Sequence, residues 1–220
     1  DGGLTWSAAK ALPEGFLGPI KNKPVLLSNG NLMSPTSTEG KGGWRIHFEV
    51  TPDFGKTWRK IGPINDGTTL NAIQPSILDH GKGKLQILAR SRNRALVEAW
   101  SNDNGETWSE LAKSSLPNNN SGTDAVTLKD GRHALVYNHV LPPGDLAKGP
   151  RTPLHLSVSK DGKEWAAAVI LEDSPISQYS YSSVIQTSDG MIHVIYTWRR
   201  QRIKHAVVNP QKLKLVPIKD

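Results

Sequence analysis

The stretch Asp53-Phe54-Gly55-Lys56-Thr57-Trp58 decides the fold, because its order of Asp, Gly and Trp recurs three more times along the chain. The other copies are Asp1-Gly2-Gly3-Leu4-Thr5-Trp6, Asp103-Asn104-Gly105-Glu106-Thr107-Trp108 and the shorter Asp161-Gly162-Lys163-Glu164-Trp165. Their tryptophans are spaced by 52, 50 and 57 residues. This period is too long for most helical repeats and is typical of four-stranded β-propeller blades.

Each copy, called an Asp turn below, is suited to closing a hairpin. The aspartate accepts hydrogen bonds from nearby backbone N–H groups, the glycine takes a positive φ, and the tryptophan anchors the returning strand in apolar surroundings. We therefore expect Trp6, Trp58, Trp108 and Trp165 to be core anchors of a scaffold rather than ligand-binding residues.

A second repeat lies between the Asp turns, in which two apolar strands flank a glycine turn, as in residues 183–196. No stretch has sustained helical periodicity, so the sequence predicts an all-β fold. We expect a β-propeller of four-stranded antiparallel blades that forms a single domain over residues 1–220. About four blades are present, at 20–63, 72–111, 123–171 and 181–220, and the outer edge of an earlier blade precedes them.

Composition narrows the function classes. No apolar run approaches the roughly 18 residues that a spanning helix needs, so we expect no membrane insertion. The absence of cysteine removes disulfides and thiol chemistry. The net charge of +7 favours an anionic partner, but the basic residues are scattered, and we expect no nucleic acid. Because no metal-ligand spacing and no phosphate-binding glycine loop is present, we predict neither a metal nor another cofactor.

Polar residues at the ends of the inner strands of a propeller can converge at one mouth of the central channel. Two or three arginines there would hold an anionic sugar, because the guanidinium fork binds a carboxylate bidentately. Asp124 and His139 could transfer protons there, although a structural role explains either equally well. The remaining candidates are expected to bind substrate: Lys21, Arg90, Arg92, Asn138, Arg151, Trp198 and Arg199. An exposed loop would also explain Lys21 and its neighbour Lys23.

The Asp turns resemble the Asp-box repeats of the sialidase superfamily, and the resemblance spans essentially the whole chain. It implies the C-terminal part of a six-bladed propeller. Family members hold the substrate carboxylate with three arginines, and two have matches here. Arg90 lies in Leu88-Ala89-Arg90-Ser91-Arg92 ahead of an Asp turn, with Arg92 as the register alternative, and Arg151 begins Arg151-Thr152-Pro153-Leu154. The third arginine and the aspartate acid/base are expected in sequence before Asp1.

The resemblance also assigns Tyr181, in Tyr181-Ser182-Ser183-Val184, to the position of the family's tyrosine nucleophile. Family members activate this tyrosine with a glutamate, but the corresponding segment here is Ile73-Gln74-Pro75-Ser76. A phenol with a pKa near 10 is mostly protonated at neutral pH, and Gln74 can orient it but cannot take its proton.

Three functions follow from these residues. The resemblance implies a sialidase-like glycoside hydrolase that acts on terminal acidic sugars of glycans. Gln74 in place of the glutamate leaves open a non-catalytic carbohydrate-binding propeller. The third alternative is a glycosidase or lyase directed at uronic acids, with His139 or Tyr181 as a base. The expected partner is an acidic glycan or sialoside, and the expected location is extracellular, periplasmic or at the cell surface.

Overall fold

The computed structural model describes residues 1–176 and 178–218, and their regular structure is almost entirely antiparallel β-sheet. The all-β propeller fold predicted from the Asp turns is confirmed. Among the described residues, the only helical segment is a 3-10 turn at Pro210–Lys212. No helix in this part of the chain is long and apolar enough to cross a membrane.

Four sheets follow one another along the chain. The first contains β1 Val25–Leu26, β2 Leu32–Thr38, β3 Arg45–Thr51 and β4 Arg59–Ile61. The second contains β5 Ala72–Asp79, β6 Leu85–Ser91, β7 Ala95–Ser101 and β8 Ala112–Pro117. The third contains β9 Asp124–Thr127, β10 His133–Tyr137, β11 Leu154–Ser159 and β12 Trp165–Glu172. The fourth contains β13 Tyr179–Gln186, β14 Ile192–Trp198 and β15 Arg202–Val208.

The end of the chain differs from the predicted last blade, 181–220. The strand β16, Val216–Pro217, pairs with β12, so the third sheet has five strands and the fourth has three. Residues 219–220, also placed in the last blade, lie outside the described residues. The pairing satisfies part of the open edge of β12 with backbone hydrogen bonds, which hydrophobic periodicity does not encode.

The core lies between successive sheets. Met33 and Phe48 of the first sheet pack against Ile87 of the second, and Leu88 of the second packs with Leu135 of the third. Val136 belongs to a third cluster, which joins the third sheet to the fourth. Successive side chains of a strand point to opposite faces of its sheet. Alternate residues therefore pack against the preceding sheet and against the following sheet.

The Asp turns have the predicted geometry. In the second, Asp53 accepts hydrogen bonds from the backbone N–H groups of Lys56 and Thr57, at 3.1 and 2.8 Å. Trp58 closes the turn by donating from Nε1 to the carbonyl oxygen of Gly55 at 3.2 Å. The hydrogen bonds to the Asp53 carboxylate lower its pKa to about 2, that of the Thr57 N–H contributing most.

The turn tryptophans differ in how far they are buried: Trp58, Trp108 and Trp165 are half-buried, and Trp108 and Trp165 pack against a core cluster. Trp108 is stacked on Phe48 of the preceding sheet, with ring centroids 4.5 Å apart. Trp6, in contrast, is 87% exposed, which contradicts its assignment as a core anchor. Its turn forms as in the other copies, since Nε1 donates to the carbonyl oxygen of Gly3. The motif therefore specifies the turn, and packing against a neighbouring sheet supplies the burial.

Replacing Trp108 with alanine should destabilise the fold by about 3 kcal/mol, because it removes an aromatic contact between two sheets and leaves a cavity. Trp6→Ala is the matched control, and it should leave the free energy of unfolding nearly unchanged. Chemical denaturation of both variants checks the prediction. Equal losses for the two would show that the turn, rather than the contact between sheets, carries the stability.

Candidate active site at the inner strands

Side chains near the start of the inner strands approach the central axis from each sheet. Lys21, Gln74 and Tyr181 occupy equivalent places there, and all three have left-handed backbone conformations, with φ of 68°, 58° and 53°. The pairing of β5 with β6 is irregular between Ile73 and Ser76, and that of β13 with β14 between Ser180 and Ser183. In each case two residues oppose one, which is a β-bulge, and bulges redirect side chains next to functional sites. Left-handed φ is uncommon outside glycine, so the surrounding structure must hold the backbone at these positions.

Two arginines from different sheets meet at the ring of Tyr181. The guanidinium carbon of Arg151 lies 5.0 Å from the ring centroid, and that of Arg90 lies 6.0 Å from it. Arg151 comes from the connection before β11, and its Nη1 donates to the hydroxyl oxygen of Ser180 at 3.1 Å. Arg90 comes from the end of β6. The chain thus brings together Tyr181, Arg90 and Arg151, which are far apart in sequence.

Arg90 is buried without being fully paired. Only 8% of the residue is exposed, and within the described part of the chain its buried Nε and Nη1 atoms have no hydrogen-bond partner. Trp44 packs beside it, with the guanidinium carbon of Arg90 5.1 Å from the indole centroid. Buried charged groups are normally paired, since an unsatisfied one is costly. Arg90 therefore has the geometry of a ligand-binding residue.

The surroundings of Tyr181 favour its ionised form. Partial burial acts to raise the pKa of the phenol, but hydrogen bonds from Arg90 and Arg151 and their positive charges outweigh it and lower the pKa from its usual value of 10.0. Tyr181 is 45% exposed, so it remains accessible to a ligand. A phenol with a lowered pKa is a better nucleophile at neutral pH than an ordinary tyrosine.

Gln74 follows Ile73, whose backbone pairs with Arg90. Its backbone is fixed from the first sheet, because its N–H donates to the Ser37 hydroxyl and its carbonyl accepts from the Asn22 amide. The side-chain oxygen Oε1 is buried and has no partner among the described residues. This oxygen can accept a hydrogen bond from a ligand hydroxyl, but a carboxamide cannot accept a proton at neutral pH.

Asp124 does not fit the proposed catalytic role. Its carboxylate accepts hydrogen bonds from Lys23 Nζ at 2.7 Å, Ser76 Oγ at 3.0 Å, Val184 N at 2.8 Å and its own neighbour Ala125 N at 2.9 Å. The residue is 1% exposed. With its acceptor sites occupied by groups from all four sheets, Asp124 ties the inner strands together, and this corresponds to the structural alternative.

Lys21 and Asn138 are also occupied by the protein rather than available to a substrate. Lys21 Nζ donates to Asn22 Oδ1 and to the carbonyl oxygens of Thr123 and Ser182, which uses all three of its N–H groups. Asn138 is fully buried, and its amide nitrogen donates to the carbonyl oxygens of Pro153 and Tyr179. Its Oδ1 accepts from Ser121. These contacts join neighbouring sheets, so both expectations of substrate binding are replaced by structural roles.

His139 packs beside Tyr137 and His155 of its own sheet. Its Nδ1 lies 2.6 Å from the Tyr137 hydroxyl, and its ring stacks on His155 with centroids 5.9 Å apart. It lines a cleft of about 390 Å³ together with Leu116 and Leu141, between the second and third sheets. The contacts given above do not include Tyr181, and the acid or base role of His139 stays a prediction.

Trp198 and Arg199 lie at the β14–β15 hairpin, next to the site rather than in it. The guanidinium carbon of Arg199 is 4.4 Å from the Trp198 ring centroid, and its Nε donates to the Tyr179 hydroxyl at 3.3 Å. Arg92, the register alternative to Arg90, stacks on Trp44 at 4.1 Å. The contacts described here connect Arg90, rather than Arg92, to Tyr181.

Sequence reasoning missed Trp44 and Gly122. The Trp44 ring packs against the guanidinium groups of both Arg90 and Arg92. In the sequence, the sign of a separate role was that Trp44 lies outside the Asp turns. Gly122 lies against Lys21 and Tyr181 with no room for a side chain, which no local pattern reveals. Within 1–176 and 178–218, no group of three His, Cys, Asp or Glu side chains is arranged to hold a metal ion.

Four sheets around an axis, with a tyrosine flanked by two arginines at the inner strands, define a sialidase-like β-propeller. Residues 1–194 match the BNR repeat-like domain, and the chain belongs to this family.

Individual relatives are distant. The anhydrosialidase of Macrobdella decora is 23% identical over 192 residues, which are 79% of this chain and 24% of that protein. The intramolecular trans-sialidase from Ruminococcus gnavus superimposes with a TM-score of 0.69 at 19% identity, over 88% of this chain and 44% of that one. A mutant of the NanB sialidase from Streptococcus pneumoniae gives 0.66 at 20% identity, over 87% and 31%. The chain thus spans about a quarter of the length of the curated relative.

The arginines should make Tyr181 ionise at a lower pH than an ordinary tyrosine. We expect a tyrosinate absorbance step below pH 10 in the native protein, which is absent from Tyr181→Phe and moves to higher pH in Arg151→Met. Tyr137 and Tyr196 do not obscure it, since burial raises the pKa of both. A native titration identical to that of Tyr181→Phe below pH 10 would contradict the assignment.

Proposed function

We propose that the protein is a sialidase-like glycoside hydrolase that acts on terminal acidic sugars of glycans. The observation that carries the proposal is Arg90, a buried arginine placed with Arg151 around Tyr181, two of whose guanidinium nitrogens have no partner among residues 1–176 and 178–218. The similarity to proteins named anhydrosialidase and intramolecular trans-sialidase supports the same class of ligand.

A carboxylate is the group that best satisfies this arrangement. Each carboxylate oxygen accepts hydrogen bonds and carries part of a negative charge, which the guanidinium groups of Arg90 and Arg151 complement. Burial strengthens the attraction, because Arg90 is largely screened from water and stacked on Trp44. A neutral sugar would leave the charge and the free N–H groups of Arg90 uncompensated.

Tyr181 supplies the nucleophile in this proposal. Tyr181 gives its proton to water and its oxygen attacks the anomeric carbon, while the bond to the leaving oxygen breaks and that oxygen takes up a proton from water. A second water molecule later displaces the tyrosine, which releases the sugar and regenerates the enzyme. The lowered pKa helps Tyr181 give up its proton, and the two arginines hold the sugar carboxylate beside the reacting carbon. Acidic glycans and sialosides are the proposed substrates, and an extracellular, periplasmic or surface location would give access to them.

Arg90→Met should weaken the binding of a methyl sialoside about 100-fold, equivalent to about 2.7 kcal/mol, because it removes a buried partner of the carboxylate. Arg59→Met is the control, since Arg59 is an exposed outer-strand residue paired with Glu106. Isothermal titration calorimetry measures both. Unchanged affinity in Arg90→Met, or equal binding of methyl galactoside, would overturn an acidic-sugar site at Arg90.

A second function, binding of acidic sugars without hydrolysis, is favoured by Gln74. The charged groups that act on the Tyr181 phenol are both arginines, and the family's glutamate is replaced by an amide that cannot take the proton. In this alternative, Arg90 and Arg151 bind the same carboxylate, and Tyr181 serves as a neutral contact for the sugar.

Gln74→Glu separates the two functions. If the protein hydrolyses sialosides slowly because a base is lacking, the substitution should raise kcat at least about tenfold, since a positioned base contributes a factor of 100 or more. The assay uses a fluorogenic sialoside and a matching glucuronide. Binding without turnover in both the native protein and Gln74→Glu would favour the sugar-binding propeller, and turnover of the glucuronide alone would redirect the proposal to uronic acids.

A further inference from the structure

Lys21 connects the first sheet to the third and the fourth sheets. It precedes β1, and its ammonium group donates to the carbonyl oxygens of Thr123 and Ser182 at 2.7 and 2.8 Å. These carbonyls belong to the residues that immediately follow Gly122 and Tyr181. The third donor is taken by Asn22 Oδ1 at 2.9 Å. Lys21 therefore fixes the backbone on the C-terminal side of Tyr181.

Gly122 provides the space in which Lys21 and Tyr181 approach each other. A Cβ atom on Gly122 would lie 2.7 Å from Lys21 Cε and 3.0 Å from Tyr181 Cδ1. Its backbone is not left-handed, unlike that of most glycines in this chain. Conformational freedom therefore does not explain the glycine at this place. The lysine stem and the tyrosine ring exclude a side chain there.

Tyr181 needs external restraint, because a left-handed φ of 53° is unfavourable for an aromatic residue. The flanking serines provide part of it. Ser180 Oγ accepts from Arg151, and Ser182 Oγ donates to the Val136 carbonyl at 3.1 Å. Lys21 adds the remaining restraint at the Ser182 carbonyl. These contacts surround the residue that the bulge directs toward Arg90.

We propose that Lys21 is a positioning residue for Tyr181, which holds the ring against Arg90 and Arg151 across the gap left by Gly122. Lys21 acts through the Ser182 carbonyl and through the packing of its stem, and it does not contact substrate. The inference rests on the proposed function only in treating Tyr181 as a site residue. Beyond that function, the inference says which residue fixes the position of the Tyr181 phenol.

Two variants test this role by different routes. Lys21→Met removes the donors while it keeps most of the stem. Because burial lowers the pKa of Lys21 to about 8, little of its charge is left to remove as the titration approaches pH 10. Gly122→Ala keeps every donor and charge but inserts a methyl group between the stem and the ring. Both should move Tyr181 away from the arginines and return its ionisation toward the higher pH of a free tyrosine. Gly40→Ala is the matched control, because Gly40 is not left-handed and has open space around it.

The measurement is the tyrosinate titration, with the Tyr181→Phe titration subtracted and folding checked by circular dichroism. A higher ionisation pH in both Lys21→Met and Gly122→Ala, with Gly40→Ala unchanged, supports positioning. A shift in Lys21→Met alone would show that packing at Gly122 does not hold the ring and would overturn the proposal, as would folded variants with native titrations. If Lys21→Met does not fold, Lys21→Gln, which also removes the ammonium group and keeps part of the stem, takes its place beside Gly122→Ala. No substrate enters this test, so its failure leaves the acidic-sugar proposal standing, and failure of sugar binding leaves this result intact.

Discussion

The Asp124 carboxylate is the interaction on which the arrangement of the four sheets depends. It accepts from Lys23 of the first sheet, Ser76 of the second and Val184 of the fourth, while it belongs itself to the third. A buried carboxylate is costly unless each lone pair is satisfied. Here the donors Ser76, Ala125 and Val184 lie in strands of three sheets, and Lys23 lies just before β1. The Asp124 charge therefore favours one relative position of the strands. This also fixes the positions of the residues that lie one or two places along the chain from these contacts.

The Tyr181 site follows from this constraint. The carbonyl oxygens of Thr123 and Ser182 are held by Lys21, so the strand starts that carry Gly122 and Tyr181 are tied to the first sheet. Arg90 then reaches the phenol from the second sheet and rests on Trp44 from the first. The Tyr181 site is therefore not held by a separate set of contacts. It uses the same polar contacts that join the sheets at the axis.

The sequence was informative about the fold because the turn chemistry is local. Asp53, Gly55 and Trp58 interact within six residues, so the repeat predicts hairpins and a propeller. It could not predict that Trp6 is exposed or that β16 pairs with β12, since both depend on what lies alongside in space. Of the site residues, the placement of Arg90, Arg151 and Tyr181 together was foreseeable from the family resemblance. The roles of Asp124, Asn138 and Lys21 were not foreseeable. The sequence around a polar residue near a channel is the same whether its side chain contacts a ligand or a neighbouring strand.

The repeated bulge has a consequence for how such a protein can change over evolutionary time. The backbone pairing of the strands is regular on both sides of Gln74 and on both sides of Tyr181. Only the two residues of each bulge lie outside this pairing. One amino acid per module can therefore be exchanged while the hydrogen bonding of the module persists. Gln74 and Tyr181 stand at equivalent bulge positions, but the glutamine has no acid–base capacity and the tyrosine is reactive. A repeated fold can therefore gain or lose a reactive residue at this position while its strands stay the same.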